Sequence, residues 1–177
     1  MDNSFFAYLE QLELLAFFSG YPLLYAVVIF IAGKDRLKNN FKNKLASFLP
    51  SSYALVGTLF LGLQLKKLYP DYNIGHLLTN TQLPFLTIWG VLSVLFWIPF
   101  LNKKGIYSLI HSLVFFFLLM RSLFLHPSVQ SSINDEARNN MKIYTVSILL
   151  NLAALLFVSF ISYLIDYFKN QKKSTPV

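Results

Sequence analysis

Residues 14–32 read LLAFFSGYPLLYAVVIFIA, nineteen positions without a charge, held between Glu13 and the pair Gly33-Lys34. A helix crossing a hydrocarbon core of roughly 30 Å needs about 20 such residues, because in lipid every backbone N–H and C=O must find its partner inside the segment. Three more stretches pass the same test. Residues 45–65 end at Lys66-Lys67, and residues 83–101 carry Pro84 in the first turn, where a missing N–H costs nothing. Residues 143–165 contain Asn151 as their one strongly polar side chain.

Residues 106–125 form a fifth apolar stretch that bears Arg121 near one end. Thirteen of its twenty residues are Leu, Ile, Val or Phe, which together favour insertion by about 4–8 kcal/mol. An Arg costs about 2.5–3.5 kcal/mol at the midplane and less towards an end, so insertion prevails. Arg121 lies about 6–7.5 Å inside the segment end, close enough to snorkel or to take a partner.

The expected fold is therefore all-α: a polytopic integral membrane protein, one membrane domain over residues 1–177, with five transmembrane helices at about 14–32, 45–65, 83–101, 106–125 and 143–165. Composition agrees, since 55% of the residues are apolar and 13% charged, where a soluble domain has about 25% charged. A net charge of +7 in so apolar a chain points to loops at a membrane surface rather than to nucleic acid. Cysteine is absent, which removes disulfides, thiolate nucleophiles, thiolate zinc and c-type haem attachment together. No Lys or Arg precedes Lys34, so the basic region of a secretory signal is missing and the first apolar run is expected to stay in the mature protein.

Orientation follows from Lys and Arg in the short loops. One side receives Lys66, Lys67, Arg121, Arg138 and Lys142; the other receives Lys34, Arg36, Lys38, Lys42, Lys44, Lys103, Lys104, Lys169, Lys172 and Lys173. Ten against five puts the N-terminus outside and the C-terminus in the cytoplasm, with a bacterial inner membrane favoured over an organelle membrane. The short turn Asn102-Lys103-Lys104-Gly105 makes the third and fourth spans antiparallel neighbours. Residues 34–44 (KDRLKNNFKNK) read as a basic linker, residues 66–82 and 126–142 as outer loops with turn chemistry at Tyr69-Pro70-Asp71 and Ile133-Asn134-Asp135, and residues 169–177 as a solvated tail.

No phosphate loop, nucleophile elbow or zinc-protease motif occurs, and neither cofactor nor metal is expected. Polar groups at membrane depth are what remains. Glu13, Gln64, Arg121 and Asn151 all fall in the outer half on this topology and form a candidate polar site; the alternative for each is a headgroup contact or a hydrogen bond between helices. His111, about 7.5 Å deep from the inner side, is a candidate proton relay, the plainer reading being a neutral imidazole bonded to a serine or a backbone carbonyl. It is flanked by Ser108 and Ser112, a small-xxx-small pair that lets another helix come close. Pro22, after Gly20-Tyr21, removes the bond to Phe18 and is expected to bend the first span.

His111 and His126 are about 22 Å apart along one helix and cannot share a haem iron, and His76 with His126 leaves only a weak external metal pair. Arg121 to His126 has an R-x4-H spacing that resembles the active-site signature of HEPN ribonucleases. Those six residues are the whole resemblance, and on this topology they face away from cytosolic RNA, so no nucleic-acid partner is expected.

By subtraction, the chain is expected to work through contacts with the bilayer and with other membrane proteins, as an accessory or assembly subunit rather than an enzyme. The alternative is a small oligomeric transporter or pore using the outer polar residues, with proton relay through His111 as a variant.

Overall fold

A computed structural model describes residues 12–33, 40–67, 69, 84–125 and 133–173. Every element among the described residues is helical. We label them α1 (residues 12–18), α2 (Tyr21–Gly33), α3 (Asn40–Ser47), α4 (Leu49–Lys67), α5 (Pro84–Leu92), a 3₁₀ segment (Ser93–Trp97), α6 (Pro99–Asn102), α7 (Gly105–Leu125) and α8 (Ile133–Lys173). Among the described residues, three helical stretches are long and apolar enough to cross a membrane: Leu12–Ile31, Lys44–Lys67 and Met141–Gln171. Pro84–Trp97 and Gly105–Arg121 are apolar but shorter.

Proline and glycine decide where these helices break. In the first stretch the helix ends at Phe18, turns through Ser19 and Gly20, and restarts at Tyr21, because Pro22 offers no N–H to the Phe18 carbonyl. Pro50 acts likewise on the second, where Phe48 separates α3 from α4. The third departs most from expectation. Residues 83–101 do not form one helix: α5 tightens into the 3₁₀ segment, and Ile98 is extended (φ −68°, ψ 126°) before α6 begins. Pro99 is the cause, since its ring crowds the α conformation of the residue before it.

α8 departs the other way. It runs 41 residues, taking in Ile133–Asp135, expected as a turn, and residues 169–173 of the expected tail. No Gly or Pro lies between Ile133 and Lys173, while Pro127 and Pro176 stand just outside.

α4 is the centre of the bundle, touching the 3₁₀ segment, α8, α5 and α7. Gly57 permits the closest of these approaches: a Cβ there would lie 3.0 Å from both the Cβ and the carbonyl carbon of Ser93 and closer still to its hydroxyl. The core is aromatic at its middle, with Phe18, Tyr21, Tyr53, Phe60 and Phe115 fully buried. Phe18 stacks on Phe115 at 4.7 Å and meets Phe60 and Tyr53 edge-on. After Lys103-Lys104, α7 packs on the 3₁₀ segment and α6, and Trp89 of α5 lies flat on the His111 ring of α7 at 4.8 Å.

Candidate functional site

Two polar clusters sit inside this bundle, and each begins with a backbone or ring atom that the helices cannot satisfy alone. The first surrounds the turn at Ser19-Gly20. The Gly20 N–H leaves the helical pattern and donates to Ser147 Oγ of α8 at 2.8 Å. One turn along α8, Asn151 Nδ2 donates to the Phe17 carbonyl and to the Ser147 carbonyl, both at 2.8 Å. Ser147 and Asn151 are fully buried, and their spacing of four residues puts them on one face of α8. Gly20 is required here by space: a Cβ would stand 2.5 Å from the Ile148 nitrogen and 2.7 Å from the Ser147 carbonyl carbon. In lipid, where helices gain little from hydrophobic contact with one another, such interhelical bonds and close approaches do much of the holding. Asn151 Oδ1 is buried without a hydrogen-bond partner.

The second cluster surrounds His111. Its Nδ1 and the Tyr53 hydroxyl are 2.8 Å apart, its backbone carbonyl accepts from Trp89 Nε1 at 3.2 Å, and Phe96 and Phe115 complete the enclosure. When Tyr53 donates, the neutral ring carries its proton on Nε2, and Nε2 is buried without a partner. The partner is thus a tyrosine, not the serine or carbonyl expected from sequence. Ser108 is used otherwise, meeting the Tyr21 hydroxyl at 2.7 Å, and Ser112 bonds back to the Leu109 carbonyl. Both serines are fully buried, and Tyr21 of the first stretch is the group that comes close to Ser108.

Of the four residues expected to form an outer polar site, Glu13 and Gln64 meet: Gln64 Nε2 donates to Glu13 Oε1 at 3.1 Å. The other oxygen of Glu13 takes Lys67. Arg121 is exposed, and the ion pairs among the described residues are Lys67–Glu13 and Lys44–Asp166. Asn151 reaches Phe17, one helical turn beyond Glu13, and belongs to the Gly20 cluster. Lys44 and Asp166 join α3 to α8 at the other end of α4 from Glu13.

No group of three or more His, Asp or Glu residues that could hold a metal ion occurs among the described residues. His76 and His126 lie outside them, as do most of the two expected outer loops and residues 34–39. Ser147, Gly20 and Tyr53 were missed by sequence reasoning. The Gly20-Tyr21-Pro22 break and the Ser147/Asn151 spacing carried a signal for the first cluster, whereas nothing in the order of residues pairs position 53 with position 111. No protein-family model, curated protein or solved structure matches this chain.

Proposed function

We propose that this chain is an accessory or assembly subunit of a membrane protein complex, a five-span protein with its N-terminus outside, and that it works through helix contacts made by α8. Lengths support five crossings: the 21 residues of α7 rise about 31 Å at 1.5 Å each. α5 and the 3₁₀ segment together rise about 24 Å before α6 is added.

One observation carries the functional part. Only 17% of the apolar segment of α8 is buried inside the chain, against 50% for Leu12–Ile31 and 44% for Lys44–Lys67. α8 is held along one stripe, Ser147, Asn151, Ala154 and Leu155, while Leu149, Leu152, Leu156, Phe160 and Tyr163 remain exposed. That is a long apolar surface with almost no chemistry attached, suited to lateral association. A mild-detergent purification from native membranes tests it. The chain should carry a membrane protein partner in fixed stoichiometry, and Leu152→Ala with Leu156→Ala should release it while leaving the chain folded. A chain that runs alone, or a partner indifferent to those substitutions, contradicts the reading.

A second reading, a small oligomeric transporter or pore with proton relay, draws on one observation: His111 Nε2 is buried and unpartnered beside the Tyr53 hydroxyl. Against it, Glu13, Gln64 and Lys67 satisfy one another at one end of the bundle, and aromatic side chains fill the middle. Proton flux into vesicles holding the purified chain, abolished by His111→Phe, would favour this reading over the first.

A further inference from the structure

A partly open recess of about 590 Å³ lies at the end of the bundle that carries Lys44, Asp166 and the turn between α6 and α7. Its walls are Tyr25 and Ile29 of α2, Pro50 of α4, and Pro99, Asn102 and Lys103 around the turn. Asn102 is fixed in that wall by its Nδ2 bond to Ser51 Oγ at 2.8 Å. The lining is therefore mostly apolar with one cation at its edge, in the size range of small-ligand sites.

Charge says what fits. The described carboxylate at this end, Asp166, is already taken by Lys44, and Lys104 is turned onto Tyr107, 5.6 Å from the ring centroid. Lys103 is exposed and makes no ion pair among the described residues. In the five-span reading, the basic linker at residues 34–44, five Lys and Arg against Asp35, and the basic end of α8 gather on the same side, so an anion is drawn to this surface. An apolar wall running down α2 from a cationic rim is the shape of a lipid's glycerol and upper acyl region beneath its phosphate.

We propose that this recess binds an anionic phospholipid from the surrounding leaflet, its phosphate at Lys103 and its upper chain against Tyr25, Ile29 and Pro50. The inference rests on the chain being embedded in a bilayer and is independent of any protein partner; a failure of embedding would appear as chain in the soluble fraction, which lipid selectivity does not report.

The test uses the purified full chain in detergent, titrated with phosphatidylglycerol or phosphatidylcholine, with bound lipid counted by native mass spectrometry. Phosphatidylglycerol should bind at lower concentration than phosphatidylcholine. Lys103→Gln should weaken it roughly five-fold, the factor expected for one lysine near an anionic headgroup. Ala46→Trp, which fills the recess from its α3 wall, should abolish the preference, with circular dichroism confirming that the variant is folded. Lys142→Gln, an exposed change near the start of α8, should leave binding unchanged. Equal binding of the two lipids, or Lys103→Gln binding as tightly as the parent, overturns the proposal. Displacement of phosphatidylglycerol by millimolar inorganic phosphate also overturns it, since the site would then recognise free phosphate.

Discussion

The Gly20 N–H donates to the Ser147 hydroxyl at 2.8 Å, joining positions 127 residues apart at the point where the first membrane stretch loses its helix. Asn151 closes the same break from one turn further along α8 by donating to the Phe17 carbonyl. A proline-induced interruption at membrane depth is thus matched by a polar pair on the helix that docks there, and the docking stripe of α8 is defined by it.

Ser147→Ala should cost about 1–2 kcal/mol, because it strands a buried N–H in an apolar setting. Gly20→Ala should cost about 1–3 kcal/mol, since its new methyl meets the α8 backbone rather than a movable side chain. Unfolding of the two variants in detergent, compared with parent, checks both values. Parent-like stability in Gly20→Ala would mean that the two helices are not in contact at this point.

Gly57 and Gly62 make a matched pair on α4. A Cβ at Gly57 runs into Ser93, while nothing lies within 4 Å of one at Gly62. Gly57→Ala should therefore destabilise, and Gly62→Ala should be neutral or stabilise by up to about 1 kcal/mol through helix propensity. Thermal melts should show a clear loss for Gly57→Ala and none for Gly62→Ala if the 3₁₀ segment rests on α4 as described.

At His111 the question is whether the Tyr53 bond is structural. Tyr53→Phe and His111→Phe each strand a buried polar group and should cost about 1–3 kcal/mol, whereas the double variant removes both partners and should be less damaging than the two losses added together. Strict additivity in the unfolding cycle would show that the two groups do not interact.

Arg121 is exposed and should be cheap to replace: Arg121→Gln is expected within about 0.5 kcal/mol of parent. Glu13→Gln should show the larger effect, because Glu13 serves both Gln64 and Lys67. Measured side by side in detergent, a severe loss at Arg121 would reveal a partner that the bundle interior does not supply.

How far the order of residues could be read is clear from these sites. Uncharged runs of about 20 residues show which segments are apolar helices, since the requirement is one of length and composition. Pro22 was legible as a bend because proline acts on its own helix. Pro99 acts by the same rule, yet its effect was hidden inside an apolar run that otherwise reads as one helix, and so the 3₁₀ turn and extended Ile98 came only from the structure. The length of α8 was equally hidden, because polar residues at 133–142 read as a loop although none of them breaks a helix. Among the polar residues, sequence gives depth and not azimuth. Glu13 and Gln64 share a depth and meet, whereas Arg121, placed at a similar depth, is on an exposed face of α7.

Topology has a direct check in this cysteine-free chain. Single cysteines replacing Asn39 and Asn134 should react with an impermeant thiol reagent from opposite faces of the membrane. Reaction of both from one face would contradict the five-span arrangement.

The proposed role requires that α8 meet another membrane protein through its outward side. A photo-crosslinking amino acid placed at Phe157, exposed on α8, and separately at the buried Phe115, tests it in intact membranes. One discrete higher-mass adduct containing a second membrane protein is expected from Phe157 and none from Phe115. Lipid adducts alone from Phe157, with the chain otherwise at its own mass, would contradict it.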